Sequence, residues 1–120
     1  MPNILIADDN EINQKLIAYL MQRMGYEYTI VDNGVKAVEA VGKSKYDFIL
    51  MDIIMPEKTG LQAAREIVAK YPANERPVIV ALTANAEETD KQACLDAGMQ
   101  EFLTKPIFLK DIKRLMDKYC

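Results

Sequence analysis

The stretch Asp47-Phe48-Ile49-Leu50-Met51-Asp52-Ile53-Ile54-Met55-Pro56 decides the fold. Phe48 to Met51 is an uninterrupted apolar run. It is too continuous for a strand with one wet face and too short for a lone buried helix. It suits the middle of a parallel sheet covered on both faces. Asp52 then stands at the carboxyl end of that strand, and Pro56 prevents the strand from continuing. Ligands of open α/β sheets bind at the carboxyl ends of strands, so Asp52 is the first candidate functional residue.

Upstream, Asn3 to Ala7 is a second apolar run that ends on Asp8-Asp9-Asn10. Ile12, Leu16, Leu20 and Met24, with Ile17 and Met21 beside them, have helical spacing and a wide apolar face. Asn10 suits the N-cap, Glu11 the first turn and Gly25 the stop. Tyr28 to Val31 predicts a strand and Asp32-Asn33-Gly34 a turn. Val35 to Val41 predicts a short helix that faces Val38 and Val41 inward and ends at Gly42.

Downstream, Gly60 precedes a helix from about Leu61 to Lys70, with Leu61, Ala64, Ile67 and Val68 as its inner stripe. Pro72 and Pro77 bracket a polar loop. Val78 to Leu82 is another apolar strand, ending on Thr83. Ala84-Asn85 opens a helix reaching about Ala97, with Ala93, Cys94 and Ala97 inside and Gly98 as its cap. Phe102-Leu103-Thr104 is a brief strand before Lys105-Pro106. Leu109, Ile112, Leu115, Met116 and Tyr119 mark a last helix. Strand and helix thus alternate five times, which predicts an α/β domain with right-handed crossovers and a parallel sheet.

A chain of 120 residues predicts one domain, 1–120, and half its residues are hydrophobic, enough for a single core. The net charge of −3 argues against nucleic acid as the main partner. No apolar run approaches membrane-spanning length and no signal peptide opens the chain. Cys94 and Cys120 form no disulfide framework, which fits a reducing cytoplasm. The absence of histidine excludes histidine triads, histidine metal ligands and a phosphohistidine within the chain.

Asp8 with Asp9, Asp52, Thr83 and Lys105 all follow predicted strands, so one parallel sheet brings them to one edge. Three carboxylates crowded together repel unless a proton or cation offsets them. An all-oxygen set calls for a hard cation, and few protein oxygens with room for water favour magnesium over calcium. A carboxylate can attack a phosphoryl group to give an acyl phosphate. The metal and Lys105 would offset charge on the phosphoryl oxygens, and the Thr83 hydroxyl could donate to one of them.

These motifs together resemble the receiver domain of two-component response regulators, over nearly all of the chain. They are Asp8-Asp9 after the first strand, Asp52 after the third, Met55-Pro56 and Gly60 in the next loop, Thr83 after the fourth and Lys105-Pro106 after the fifth. Asp9-Asn10-Glu11-Ile12-Asn13, Leu82-Thr83-Ala84-Asn85 and Ala97-Gly98-Met99 resemble receivers of hybrid histidine kinases. The resemblance implies a flavodoxin-like (βα)5 sandwich with strand order 2-1-3-4-5 and helices on both faces. It implies that Asp52 is the phosphoacceptor, that Asp9 binds Mg2+ (or Mn2+) directly and that Asp8 acts mainly through a metal-bound water. The backbone carbonyl of Ile54 completes the ligands. A cis Lys105-Pro106 bond aims the lysine into the site. Thr83 and Phe102 form the switch, Phe102 turning inward when Thr83 moves. Side chains at Ile54 and Asn85 tune how water reaches the acyl phosphate.

The implied role is a signalling phosphoacceptor, not an enzyme on outside substrates. It is cytoplasmic and served by a histidine kinase or histidine phosphotransfer domain. It is stand-alone or part of a larger hybrid kinase, with no output module in this chain. One departure is visible: Lys58-Thr59 precede Gly60 where such receivers often carry an acid. Taken singly, each residue has a plainer reading. Asp8-Asp9-Asn10 reads as a helix cap, Asp52 as a turn residue, Thr83 as a cap, Lys105 as a surface lysine and Phe102 as core. Pro106 and Phe108 read equally as packing or docking residues. The surplus of the first helix, Ile12, Ile17 and Met21, reads equally as a fuller core or as a patch for a phosphohistidine helix bundle.

Three other functions compete. A degenerate receiver that only binds partners is disfavoured by retention of all five site residues. A flavin binder would need a Ser-, Thr- or Gly-rich phosphate loop after the first strand, where acids stand. An aspartyl-phosphate phosphohydrolase usually has a second aspartate where Ile54 stands.

Overall fold

The computed structural model describes residues 3–55, 57–84 and 88–119. Five strands alternate with five helices: β1 Asn3–Ala7, α1 Glu11–Met24, β2 Glu27–Val31, α2 Gly34–Lys43, β3 Phe48–Asp52, α3 Gly60–Lys70, β4 Val78–Thr83, α4 Glu88–Asp96, β5 Glu101–Thr104 and α5 Leu109–Tyr119. The strands form one parallel sheet of order β2-β1-β3-β4-β5. This is the expected doubly wound order, with its topological switch between β1 and β3.

Strand side chains alternate between two cores because their period is two. Leu5, Ile49, Met51, Ile79 and Ala81 pack with Ala37 of α2, Ala63, Ala64 and Ile67 of α3, and Cys94 of α4. Ile4, Ile6, Phe48, Leu50, Val80 and Leu82 pack with Ile17, Leu20 and Met21 of α1 and Ile112, Leu115 and Met116 of α5. All five residues of β3 are buried, which is why Phe48 to Met51 reads as a continuous apolar run.

Local signals explain most boundaries. Asn10 caps α1, its side chain accepting from the Ile12 and Asn13 N–H groups, and Gly25 ends the helix in the left-handed conformation. The expected stop of α2 at Gly42 is corrected: the helix runs one residue further, to Lys43, and Ser44 N–H closes it onto the Ala40 carbonyl. Glycine is only mildly unfavourable inside an exposed helix, so the tertiary packing of Val38, Ala40 and Val41 overrides it. Thr59 caps α3 in a reciprocal capping box with Gln62. That gives the non-acidic residue before Gly60 a structural role. The expected residues Pro56, Asn85 and Cys120 lie outside the described ones.

The registers bring the chemistry together. Ala7 pairs with Met51, Asp52 with Leu82 and Thr83 with Thr104. The residues that follow β1 and β5 therefore arrive level with the end of β3.

Candidate phosphorylation site

Asp8 is held immediately beyond β1. Its N–H continues the ladder to the Val31 carbonyl, and its own carbonyl accepts from the Gln14 side chain at 2.5 Å. Its side chain is wholly buried; Oδ1 accepts the Asn10 N–H at 2.9 Å. Oδ2 is buried and makes no hydrogen bond among the described residues. Its nearest compensation is the Lys105 ammonium at 3.3 Å, an ion pair whose geometry falls short of a hydrogen bond.

Asp52, also buried, has both oxygens engaged. Oδ1 accepts the Ile54 N–H at 3.0 Å and Oδ2 accepts from Lys105 Nζ at 2.7 Å. Lys105 precedes a cis-proline as expected, the Lys105-Pro106 peptide being cis. Its N–H donates to the Thr83 carbonyl at 2.7 Å, tying the lysine to the end of β4. Thr83 is buried at the same edge.

Carboxylate oxygens of Asp8, Asp9 and Asp52 lie within 4.8 Å of one another, with Asp9 exposed and the other two buried. Burial pushes the Asp8 carboxyl above its ordinary range, and the Asn10 N–H and Lys105 ammonium only partly oppose it. Burial lowers the Lys105 pKa, but Asp52 and then Asp8 outweigh it and hold the ammonium above its ordinary value. Lys105 thus serves two of the three acids, Asp8 and Asp52. The orphaned Oδ2 of Asp8, the all-oxygen donor set and the open side at Asp9 fit a hard divalent ion.

The loop between β3 and α3 is pinned close to Asp52. Gly60 N–H donates to the Ile53 carbonyl at 3.2 Å, and a Cβ on Gly60 would lie 2.2 Å from the Asp52 carbonyl oxygen. Only glycine allows that approach. Lys58 pairs with Glu66 on α3.

Around this edge stand exposed apolar side chains: Ile12 and Ile54, each 78% exposed, and Phe108, 54% exposed. The patch expected on α1 is therefore divided. Ile12 is at the surface, whereas Ile17 and Met21 belong to the core, so both open readings of this stripe apply to part of it. Phe108 is not a packing residue, while its neighbour Ile107 is buried.

Phe102 is half-buried on β5, with Lys91 Nζ 4.9 Å from its ring centre. It lines a cavity of about 180 Å3 with Cys94, Leu95 and Met99. Sequence reasoning missed the Gln14 contact to Asp8 and the Lys91 contact to Phe102. Neither has a local signal: Lys91 and Phe102 lie on separate elements. The carboxylate cluster and Lys105 were both expected, and both are brought together.

The response regulator receiver domain family model matches residues 4–117. Hybrid signal transduction histidine kinase B of Dictyostelium discoideum is 45% identical over 119 residues, covering 91% of this chain but 6% of that protein. The aerobic respiration control sensor protein ArcB of Escherichia coli is 34% identical over 117 residues, covering 98% of this chain and 15% of that protein. The chain thus spans a small fraction of these relatives. The receiver domain of a sensor histidine kinase from Pseudomonas aeruginosa, solved with magnesium in its active-site cleft, is 38% identical with a TM-score of 0.89, covering 98% of this chain and 96% of that one. The Saccharomyces cerevisiae receiver domain of Ssk1, solved with the histidine phosphotransfer protein Ypd1, is 29% identical with a TM-score of 0.88, covering 98% of this chain and 88% of that one. The acid edge, the lysine on Asp52 and these matches have one reading: the chain belongs to the response regulator receiver domain family.

Proposed function

We propose that this chain is the phosphoacceptor of a two-component phosphorelay, taking a phosphoryl group from a phosphohistidine onto Asp52. The observation that carries this reading is a buried Asp52 whose Oδ2 is held by Lys105 at 2.7 Å inside a cluster of three acids. An oxygen of Asp52 bonds to phosphorus as the phosphorus–nitrogen bond to the donor imidazole breaks, and the departing imidazole nitrogen keeps the electron pair and takes up a proton. Lys105 then shares its ammonium with the new phosphoryl oxygens. Asp8, Asp9, Asp52 and the Ile54 carbonyl are the proposed ligands of Mg2+, with Mn2+ as a substitute. When bound, the ion offsets charge on the acids and on the phosphoryl group. Positioning and electrostatics do the rest.

Thr83 and Phe102 are the proposed switch. The added charge and acceptor oxygens at Asp52 draw the Thr83 hydroxyl, and Phe102 moves into the space released. Ile54, standing in the open at the site, is proposed to shield the acyl phosphate. The domain works as one unit over 1–120, in the cytoplasm, as part of a larger hybrid kinase. Its partners are a histidine kinase and a histidine phosphotransfer domain. Exposed Ile12, Ile54 and Phe108 around the acid edge support docking of such a helical donor. It promotes only its own phosphorylation and dephosphorylation.

Incubation with acetyl phosphate and Mg2+, then with a phosphorylated histidine donor, tests the reading by intact mass. The parent should gain one labile phosphoryl increment, and Asp52→Asn should gain none. An increment retained by Asp52→Asn, or none in the parent with both donors, overturns it.

A further inference from the structure

We infer that Gly34, at the first position of α2, is a positioning residue for the acid site, acting through the loop between β3 and α3. The inference rests on the reading of Asp8, Asp9 and Asp52 as a divalent-cation site. Gly34 N–H donates to the Lys58 carbonyl at 3.1 Å. A Cβ on Gly34 would lie 2.1 Å from that carbonyl oxygen and 2.8 Å from its carbon, so any other residue must push the loop away. The contact is backbone to backbone, and no rotamer change relieves it.

The same loop is anchored on the acid side, where Ile54 N–H donates to Asp52 Oδ1 and Gly60 N–H to the Ile53 carbonyl. Between these anchors Glu57 sits at φ 68°, in the left-handed region, which a residue with a Cβ occupies only when its surroundings hold it there. Both ends of the loop are therefore tied to the acid side, and Lys58 between them is held by α2. Asp52 and the Ile54 backbone would hold the cation, and any shift of this loop on binding would reach the Gly34 N–H through the Lys58 carbonyl. The start of α2 thus both positions the site and reports its occupancy. This assigns a role to a helix that supplies none of the site's side chains.

A titration of the 15N-labelled protein with MgCl2 alone tests this without relying on phosphorylation. The Ile54 and Gly34 amide signals should move with the same midpoint. Movement of Ile54 with Gly34 unmoved overturns the inference and leaves the cation reading standing. No movement at either overturns both. Gly34→Ala, titrated well below its melting temperature, should bind Mg2+ about tenfold more weakly, the usual cost of losing an outer support of a metal site. Lys58→Ala keeps the carbonyl and should stay within about twofold of the parent, since it loses only an exposed ion pair. Equal affinity of folded Gly34→Ala and the parent also overturns the inference. Should that variant not fold, the titration of the parent decides.

Discussion

Replacing Asp8 with asparagine should stabilise the metal-free protein. At an effective dielectric of about 20, unit charges 4.8 Å apart, the outer limit of separation in the acid cluster, interact by roughly 3.5 kcal/mol, a lower bound on the repulsion, and those 3.3 Å apart by roughly 5 kcal/mol. Attraction of Asp8 to Lys105 thus offsets repulsion from Asp52, but the same ammonium is already bound to Asp52 at 2.7 Å. Exposed Asp9 adds a screened repulsion. What remains is the desolvation of a wholly buried carboxylate, several kcal/mol before relaxation. An asparagine oxygen keeps the bond from the Asn10 N–H and discards the charge. The net expectation is a gain of about 2 kcal/mol in EDTA. An unfolding entropy of about 2.1 cal/mol/K per residue gives roughly 0.25 kcal/mol per degree for 120 residues, so Tm should rise by about 8 °C. Magnesium at about ten times its dissociation constant should add roughly 1.4 kcal/mol to the parent and clearly less to the variant. Thermal unfolding by circular dichroism, with EDTA and with MgCl2, reads both effects. A variant less stable than the parent in EDTA, or one with an undiminished magnesium shift, refutes the electrostatic account of this site.

Three further expectations follow from the same geometry. Gly60→Ala forces a methyl to within 2.2 Å of the Asp52 carbonyl oxygen and should cost about 1–3 kcal/mol in urea unfolding while weakening Mg2+ binding; a neutral result would mean the loop yields freely. Lys105→Met removes the ammonium paired with Asp52 and Asp8, so Mg2+ affinity measured by titration should rise as phosphoryl uptake from acetyl phosphate slows by about 100-fold; weaker metal binding would contradict the charge argument. At Glu101, burial raises the carboxyl pKa, but the Lys118 and Tyr119 hydrogen bonds outweigh it and hold it below its ordinary 4.5. A depressed carboxylate stabilises the fold above the unfolded-state value and loses that stabilisation as pH falls through the folded value. The stability gap between parent and Glu101→Gln should therefore be level above pH 4.5 and shrink below it, as followed by urea unfolding across pH.

Burial on both faces of β3 is written in Phe48 to Met51, because a parallel strand between two helical layers has no polar side to show. The caps at Asn10 and Gly25 were equally legible, since each satisfies backbone groups within a few residues of itself. So were Asp8, Asp9, Asp52 and Lys105, because each directly follows or ends a strand and parallel strands share one edge. Local rules failed at Gly42, where packing of α2 outvoted the helix breaker, and left Ile12, Ile17 and Met21 open, because one apolar stripe does not say how it is divided between core and surface.

The order of apolar and polar residues along this chain was sufficient to determine the alternation of strands and helices and the chemistry gathered at one edge of the sheet, because periodicity and strand ends are local properties. Which acid is buried, which oxygen the Lys105 ammonium binds, and how Gly34 comes to touch the loop beside Asp52 were decided only by the packed structure. Those facts depend on desolvation and close approach between segments far apart in the chain, and no local pattern carries them.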